Sequence, residues 1–378
     1  MTRFAWRGIV AALSFGALAA HAAPSYHFVD LGTVGGAFSV PHDINNLGQI
    51  VGQSQVSDSS GLHAVLWSNG SVTDLTALAG GTGGSANAIN DAGQIVGSNM
   101  GTGPSRATLW QNGNGTFLGA NGVESAANDI NQHGQIVGRS GPQAANAAHS
   151  AQWSSSDPAT TKTVQSDASN GQAVAINNAG AIVGERYTAD GTKPYLVSGG
   201  TQADLPLKGF REGSPAAIND HGTVAGNVMT IWGDSAKSMP AMWMDGKLQF
   251  LTVPAGFGDS AADINAAGWI VGATTQPDFQ SHATLWANNT LVDLNAYIDP
   301  QKKAEGWWLY SATAINDRGD IVGLLGHGDL FVEQHAFLLQ YEGGTVSPVP
   351  EPETWAMVLA SLGALGIIRK RAAKNGGA

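Results

Sequence analysis

A nine-residue string occurs seven times along this chain of 378 residues. It reads Ile-Asn-x-x-Gly-x-(Ile/Val)-(Val/Ala)-Gly and begins at Ile44, Ile89, Ile130, Ile176, Ile218, Ile264 and Ile315. Successive copies lie 41 to 51 residues apart, a period typical of propeller blades and too long for short-coil solenoids. The repeats therefore predict seven similar structural units.

Each string predicts a β-hairpin. Asn in the second position can hydrogen-bond to the backbone ahead of it. Gly three residues later accepts the positive φ of a type I turn followed by a G1 bulge. The Ile-Val pair that follows is typical of a strand, and the last Gly, such as Gly52, fits a bend or a close backbone approach.

Most hairpins are followed by a third strand, often ending in Trp, and by a fourth that ends in an Asp-Leu pair such as Asp74-Leu75. We expect the recurrent Trp to pack between blades. The seventh repeat lacks the fourth strand, but an unassigned strand-like segment at 26–31 precedes the first hairpin. We therefore predict an all-β, seven-bladed β-propeller with four-stranded blades over residues 24–346, in which segment 26–31 joins segment 335–339 and closes the last blade.

Composition excludes several classes of function. A formal net charge of −11 argues against a nucleic-acid partner, which requires a basic surface. The absence of Cys excludes disulfides, a thiol nucleophile and thiolate zinc sites. No nucleophile elbow, P-loop or zincin string occurs, so the sequence predicts no cofactor and no catalytic residue.

Both ends of the chain differ from the repeats. Residues 1–22 predict a secretory signal peptide, because Arg3 and Arg7 precede an apolar run and the cleavage pattern Ala20-His21-Ala22 follows it. A permanent N-terminal anchor is the alternative, but the run of about 13 residues is short for a membrane span. Residues 347–378 combine Pro350-Glu351-Pro352, an apolar stretch to Ile368 and the basic cluster Arg369-Lys370-Arg371.

The apolar stretch predicts one short hydrophobic helix. About 14 helical residues span roughly 21 Å, which is less than a hydrocarbon core of about 30 Å. We expect a transient anchor in the inner membrane, with the basic cluster on the cytoplasmic side. The C-terminus resembles the PEP-CTERM sorting signal of Gram-negative bacteria. The resemblance implies recognition of Pro350, Glu351 and Pro352 by an exosortase, followed by a location at the cell surface or in an exopolysaccharide (biofilm) matrix.

The repeats also resemble the HAF family of extracellular repeats, and His335-Ala336-Phe337 matches that name literally. This resemblance implies no particular chemistry. His63, His282 and His335 recur at one position of the repeat, which favours packing or hydrogen bonding at a strand edge over catalysis.

Two groups of residues are candidates for a site. Asp91, Asp220 and Asp317 lie in hairpin turns, where turn chemistry is favoured over calcium binding, since other repeats have no carboxylate there. The least repetitive segment holds Trp307, Trp308 and Tyr310, which could stack on sugar rings or simply pack in the first strand of the last blade.

The sequence is compatible with two functions. The preferred one is an exported, non-enzymatic module that binds or builds the surface or matrix. The alternative is an extracellular propeller hydrolase or lyase acting on polysaccharide, whose acidic residues converge from several blades at the channel. Facing carboxylates with a raised pKa would favour the enzyme, and a mouth lined by Gly, Ala and Asn would favour the binding module.

Overall fold

The computed structural model describes the repeat region and leaves both termini undescribed. It covers residues 24–343 except 57–60, 102, 142–147, 165–169, 233–234, 255–258, 278, 289 and 329–332. The predicted signal peptide and the predicted C-terminal helix lie outside the described residues. No helix within the described part of the chain is long and apolar enough to cross a membrane.

Four-stranded antiparallel sheets follow one another along the chain, and we number them as blades in chain order. The strands of blades 1 to 3 are β2 (Gly35–Ile44), β3 (Ile50–Val56), β4 (Leu62–Ser68), β5 (Ser71–Asp74); β6 (Gly83–Ile89), β7 (Ile95–Met100), β8 (Arg106–Gln111), β9 (Asn114–Phe117); β10 (Glu124–Ile130), β11 (Gln135–Gly141), β12 (His149–Ser154) and β13 (Asp157–Thr163). Those of blades 4 to 6 are β14 (Gly171–Ile176), β15 (Ile182–Thr188), β16 (Gly191–Ser198), β17 (Thr201–Asp204); β18 (Glu212–Ile218), β19 (Val224–Trp232), β20 (Ser235–Met244), β21 (Lys247–Phe250); β22 (Ser260–Ile264), β23 (Ile270–Thr275), β24 (Ser281–Ala287) and β25 (Thr290–Asp293).

The last blade is completed from the other end of the chain. It contains β26 (Trp307–Ile315), β27 (Ile321–His327) and β28 (Gln334–Gly343), and its fourth strand is β1 (Ser25–Gly32). Strand β1 runs antiparallel to β28, with Phe28 opposite Leu339. The predicted closure by the N-terminal strand is therefore confirmed. A single parallel pair, Phe38 with Gln334, joins this sheet to blade 1.

Little helix interrupts the strands. Single 3₁₀ turns cover Ala77–Ala79 and Leu294–Ala296, and α1 covers Pro300–Ala304. The second turn and α1 lie in the connection between blades 6 and 7. This connection accounts for the longest spacing between repeats.

The repeated string forms the predicted turn in every blade. In each copy the Gly N–H donates to the Asn carbonyl three residues earlier, at 2.9–3.0 Å. The same glycines have φ between +70° and +90°, which an L side chain adopts only with strain. Because the strands are antiparallel, these turns share one end of the ring with the turns that join third and fourth strands. We call this end the turn face.

The Gly that ends each string also has a steric reason. The first strand of every blade contains a bulge opposite this Gly, for example between Pro41 and Asp43. A Cβ on Gly52 would collide with the carbonyl oxygen of Val40, and the other six glycines meet an equivalent carbonyl. The close backbone approach expected from the sequence is confirmed.

Apolar side chains fill the spaces between neighbouring blades. Trp67 of blade 1 packs with Ala314 and Leu338 of blade 7, and Trp110 of blade 2 packs with Val51 of blade 1. The recurrent Trp therefore packs between blades, as expected.

Candidate functional site

A closed belt of asparagines surrounds the central channel at the turn face. The side-chain amide of each turn Asn donates to the backbone carbonyl of the corresponding Asn in the next blade, at 3.0–3.1 Å. The seven members are Asn45, Asn90, Asn131, Asn177, Asn219, Asn265 and Asn316. The last donates back to the first, so seven hydrogen bonds close the ring.

Each belt Asn is also fixed within its own turn. The Asn45 Oδ1 accepts the N–H groups of Leu47 and Gln49 at 3.0 and 2.9 Å, and its amide donates to Gln49 Oε1 at 2.8 Å as well as to the next blade. Both donors and both acceptor positions of this amide are therefore occupied. The sequence predicted the bond within the turn but gave no sign of the bond to the next blade.

The next residue of each turn forms a second, incomplete ring at the channel rim. Its backbone N–H donates to the side-chain oxygen of the equivalent residue in the following blade, at 2.8–3.0 Å. The acceptors are Asp91, Gln132, Asn178, Asp220, Asp317 and Asn46. Ala266 offers no acceptor to the Asp220 N–H. The three turn aspartates therefore act as caps between blades, which fits the interpretation as turn chemistry.

Three further carboxylates lie just before the string, at positions for which the sequence predicted no role. Asp43 accepts the N–H of Ile44 at 2.7 Å and the N–H of Ile89, in the next blade, at 2.8 Å. Asp129 and Asp263 make the same pair of contacts in blades 3 and 6. The other four blades have Ala at this position: Ala88, Ala175, Ala217 and Ala314. The only sequence signal was this alternation between Asp and Ala.

The environment of these carboxylates changes their acidity. Burial is the main cause that raises the pKa of Asp43 and of Asp263 to about 7. Burial also raises the pKa of Asp129 to about 6. Repulsion from Asp263 and Asp129 adds to the effect on Asp43, while the backbone N–H donors oppose it. The channel thus contains carboxyl groups that change charge near neutral pH.

The turn-face end of the channel holds a cavity of about 180 Å³ lined by residues from all seven blades. Its polar lining consists of belt and rim residues together with Asp43 and Asp263. Over the described ranges, no three His, Asp or Glu side chains are arranged to hold a metal ion. The oxygens of the channel carboxylates bind backbone N–H groups, so their evident role is to join blades.

The aromatic candidates lie in β26, the first strand of blade 7. Trp307 is only 7% exposed and lies between His327 and His335, at ring-centre distances of 4.9 and 5.0 Å. Lys302 of α1 lies over its ring at 4.6 Å. This burial fits the packing alternative for Trp307. Trp308 and Tyr310 are half-buried, and a ligand role for them stays a prediction. Burial raises the pKa of Tyr310 to about 12.

The three recurrent histidines make one recurrent contact. His63 pairs with Asp74 at 2.7 Å, His282 with Asp293 at 2.8 Å, and His335 with Asp30 at 3.0 Å. Each pair joins the third strand of a blade to its fourth. The expected role at the strand edge is confirmed.

Comparison with known families assigns the C-terminus. The PEP-CTERM protein-sorting motif matches residues 348–372, outside the described part of the chain. The chain therefore carries the signal of proteins exported across the inner membrane of Gram-negative bacteria and sorted by exosortase to the surface. No curated protein matches the chain in sequence.

Solved structures support the fold. A catalytically inactive virginiamycin B lyase from Staphylococcus aureus, solved with quinupristin, has a TM-score of 0.51 at 10% identity, over 84% of this chain and 99% of that one. The Dos1 propeller has a TM-score of 0.46 at 10% identity, over 86% of this chain and 97% of that one. TolB from Acinetobacter baumannii has a TM-score of 0.44 at 12% identity, over 78% of this chain. This chain spans 64% of the length of that TolB chain. The four-stranded sheets together with the similarity to the lyase support a β-propeller fold, and the similarity carries no activity with it.

Proposed function

We propose that this protein is an exported, non-enzymatic β-propeller that acts as a binding or structural module of the cell surface or the exopolysaccharide matrix. The observation that carries the proposal is the use of the channel side chains. Belt amides, rim side chains and channel carboxylates all cap backbone groups of their own or a neighbouring blade. Side chains committed in this way stabilise a rigid ring and are poorly placed to react with a substrate.

The ends of the chain support the extracellular part of the proposal. In this proposal, exosortase recognises the motif Pro350-Glu351-Pro352. The basic cluster Arg369-Lys370-Arg371 holds the apolar segment in the inner membrane until then. The matrix role and membership of the HAF repeats rest on the resemblances described above. Weak binding of a matrix component by a rigid exported ring is consistent with both resemblances.

The channel carboxylates favour one alternative, a hydrolase or lyase acting on polysaccharide. Asp43 and Asp263 face the same cavity, and each has a pKa near 7. Polysaccharide hydrolysis typically uses two carboxyl groups, one of them protonated at neutral pH. In this protein, however, both oxygens of each carboxylate already accept a backbone N–H.

The two functions predict different results with the polysaccharide of the protein's own host. The exported protein should co-sediment with that polymer and release neither reducing ends nor unsaturated products. The matched control is the triple variant Asp43→Ala, Asp129→Ala and Asp263→Ala, which gives three blades the residue that the other four already have. Product release that this variant abolishes would establish the enzyme. Absence of both binding and product would contradict the proposal.

A further inference from the structure

Two grooves on the turn face occupy equivalent positions at two different junctions between blades. One, of about 290 Å³, lies between blades 5 and 6, and we call it groove 5/6. The other, of about 440 Å³, lies between blades 7 and 1, and we call it groove 7/1. Both volumes suffice for one or two sugar rings.

The same repeat positions build both grooves. The third-strand Trp lines each of them, as Trp286 in groove 5/6 and Trp67 in groove 7/1. Two residues later each has an Asn with φ of +51°, Asn288 and Asn69, in the turn to the fourth strand. The fourth strand of the preceding blade forms the opposite wall. The grooves are therefore the same element of the repeat at two junctions.

The chemistry of both grooves suits an uncharged ligand. None of the described residues that line groove 5/6 is charged. Groove 7/1 includes Asp30 and Arg318, but Asp30 is paired with Lys302 and His335, and Arg318 is paired with Asp320. Neither groove therefore presents an unpaired charge to a ligand.

Each groove combines exposed apolar surface with available amides. Phe250 is 44% exposed in groove 5/6, and Leu47 is 66% exposed in groove 7/1. Within the described part of the chain, no hydrogen bond occupies the side-chain amides of the residues Gln249, Asn288, Asn69 and Gln340. A flat apolar contact bordered by neutral donors and acceptors is the usual complement of a pyranose ring.

We propose that grooves 5/6 and 7/1 are equivalent subsites for neutral hexose units of one polysaccharide chain. The inference rests on the proposed function and names its binding site. Two copies of one site on a rigid ring match a ligand that repeats along its length. Simultaneous occupation of both grooves makes the second contact intramolecular, so weak sites give strong retention on a polymer.

Calorimetry with short oligosaccharides tests the sites one at a time. The probes are the neutral hexasaccharides of β-1,3-glucan, β-1,4-glucan and β-1,4-mannan, titrated into the exported protein. We expect at least one probe to bind at two sites per chain. Phe250→Ala should remove the site in groove 5/6 and Leu47→Ala the site in groove 7/1, each reducing the stoichiometry to one. The double variant should weaken binding at least about tenfold.

Phe279→Ala is the matched control, because this ring is 87% exposed and lines neither groove. It should keep both sites. Leu47→Ala and Phe279→Ala should keep the wild-type melting temperature, whereas Phe250→Ala also loses a ring contact with Phe210 at 5.5 Å and should melt slightly lower while staying folded. Failure of every probe to bind, or a stoichiometry unchanged in the double variant, would overturn the inference. Co-sedimentation of the double variant with the host polymer at wild-type level would also overturn it while leaving the proposed function intact. Failure of the wild-type protein to co-sediment contradicts the proposed function itself.

Discussion

At the scale of single residues, the belt depends on the chemistry of the Asn side chain. A primary amide offers two donors and an oxygen that accepts twice, and Asn45 uses all four. Asp in its place could accept both turn N–H groups but could not donate to the next blade. Gln has the right groups on a chain one methylene too long. Asn is therefore the residue that can close the turn and the ring together.

Asp43 makes stability depend on pH. Its folded pKa of about 7 lies above its ordinary value of 3.8, so the folded protein holds a proton that the unfolded chain releases between about pH 4 and pH 7. Stability should fall as pH rises through this window. Asp43→Ala should reduce that fall by at least about 1 kcal/mol. Urea unfolding at pH 4.5 and pH 8 measures this difference in the free energy of unfolding. Asp91→Ala is the control and should keep the wild-type pH dependence. An equal pH dependence in Asp43→Ala would contradict the prediction.

Ala266 interrupts the rim ring, so Ala266→Asn should complete it. The new side-chain oxygen would accept the Asp220 N–H, as Asp317 accepts the Ala266 N–H at 2.9 Å. One net hydrogen bond contributes about 0.5–1.5 kcal/mol, which corresponds to roughly 1–6 °C in melting temperature. Calorimetric melting measures the gain. Ala267→Asn, one position further on, is the control and should give none. A lower melting temperature for Ala266→Asn would show that the rim has no room for an amide.

Trp307 should behave as a core residue. Trp307→Ala should destabilise the protein by about 3–5 kcal/mol, because it removes a buried ring that packs against two histidines. Denaturant unfolding measures this loss. Trp308→Ala should lower the free energy of unfolding by less, because Trp308 is more exposed than Trp307. Lost glycan binding at unchanged stability in Trp307→Ala would instead support a stacking platform.

At the scale of secondary-structure elements, β1 fastens the ring. Tyr26 packs against Tyr297 and Tyr341 at ring-centre distances of 5.0 and 5.5 Å. Burial alone would raise the pKa of Asp30, but hydrogen bonds from His335, Lys302 and the Gly32 N–H lower it to about 2. This contribution to stability is complete above about pH 4 and is lost as pH falls toward 2.

Deletion of residues 25–32 should therefore open the last blade. Without β1, the edge of β28 is exposed and the buried Tyr26 ring is lost, so we expect a loss of at least about 3 kcal/mol, or about 6 °C in melting temperature. Thermal melting and light scattering detect the loss and the resulting association. The control replaces the exposed Ser25 and His27 with Ala and keeps the strand. An unchanged melting temperature after deletion would mean that the ring closes without β1.

At the scale of the whole molecule, export and folding act on separate parts of the chain. The sorting motif at 348–372 begins just after β28 ends at Gly343, while the blades close on themselves without it. Removal of the tail therefore leaves every described strand pairing intact.

We expect exosortase to remove the tail. Mass spectrometry of the exported protein should find a C-terminus close to residue 350. Replacing Pro350 and Pro352 with Ala should leave full-length protein in the inner membrane, whereas Ser347→Ala, outside the motif, should be processed normally. Recovery of tail-bearing protein in the medium of a host with a functional exosortase would contradict this prediction.

The sequence by itself determined the repeat, the turn and the closure. The Asn-x-x-Gly spacing dictates a local turn, and a missing fourth strand together with an extra segment at 26–31 leaves one way to complete seven blades. These features are local or countable along the chain, so no coordinates were needed. The strand-edge role of the recurrent histidines followed from the same period, whereas their Asp partners did not.

Only the tertiary structure decided which groups meet across blades. Asn45 and Asn90 belong to different repeats, and nothing in either repeat reveals that the amide of one reaches the carbonyl of the other. The same holds for Asp43, whose acidity depends on burial and on two carboxylates from distant blades. The sequence favoured a core position for Trp307 and left a surface platform as the alternative, because α1 and the two histidines that contact its ring come from separate segments. Hydrogen bonding, burial and charge repulsion act through space, and the order of residues along a chain does not record those distances.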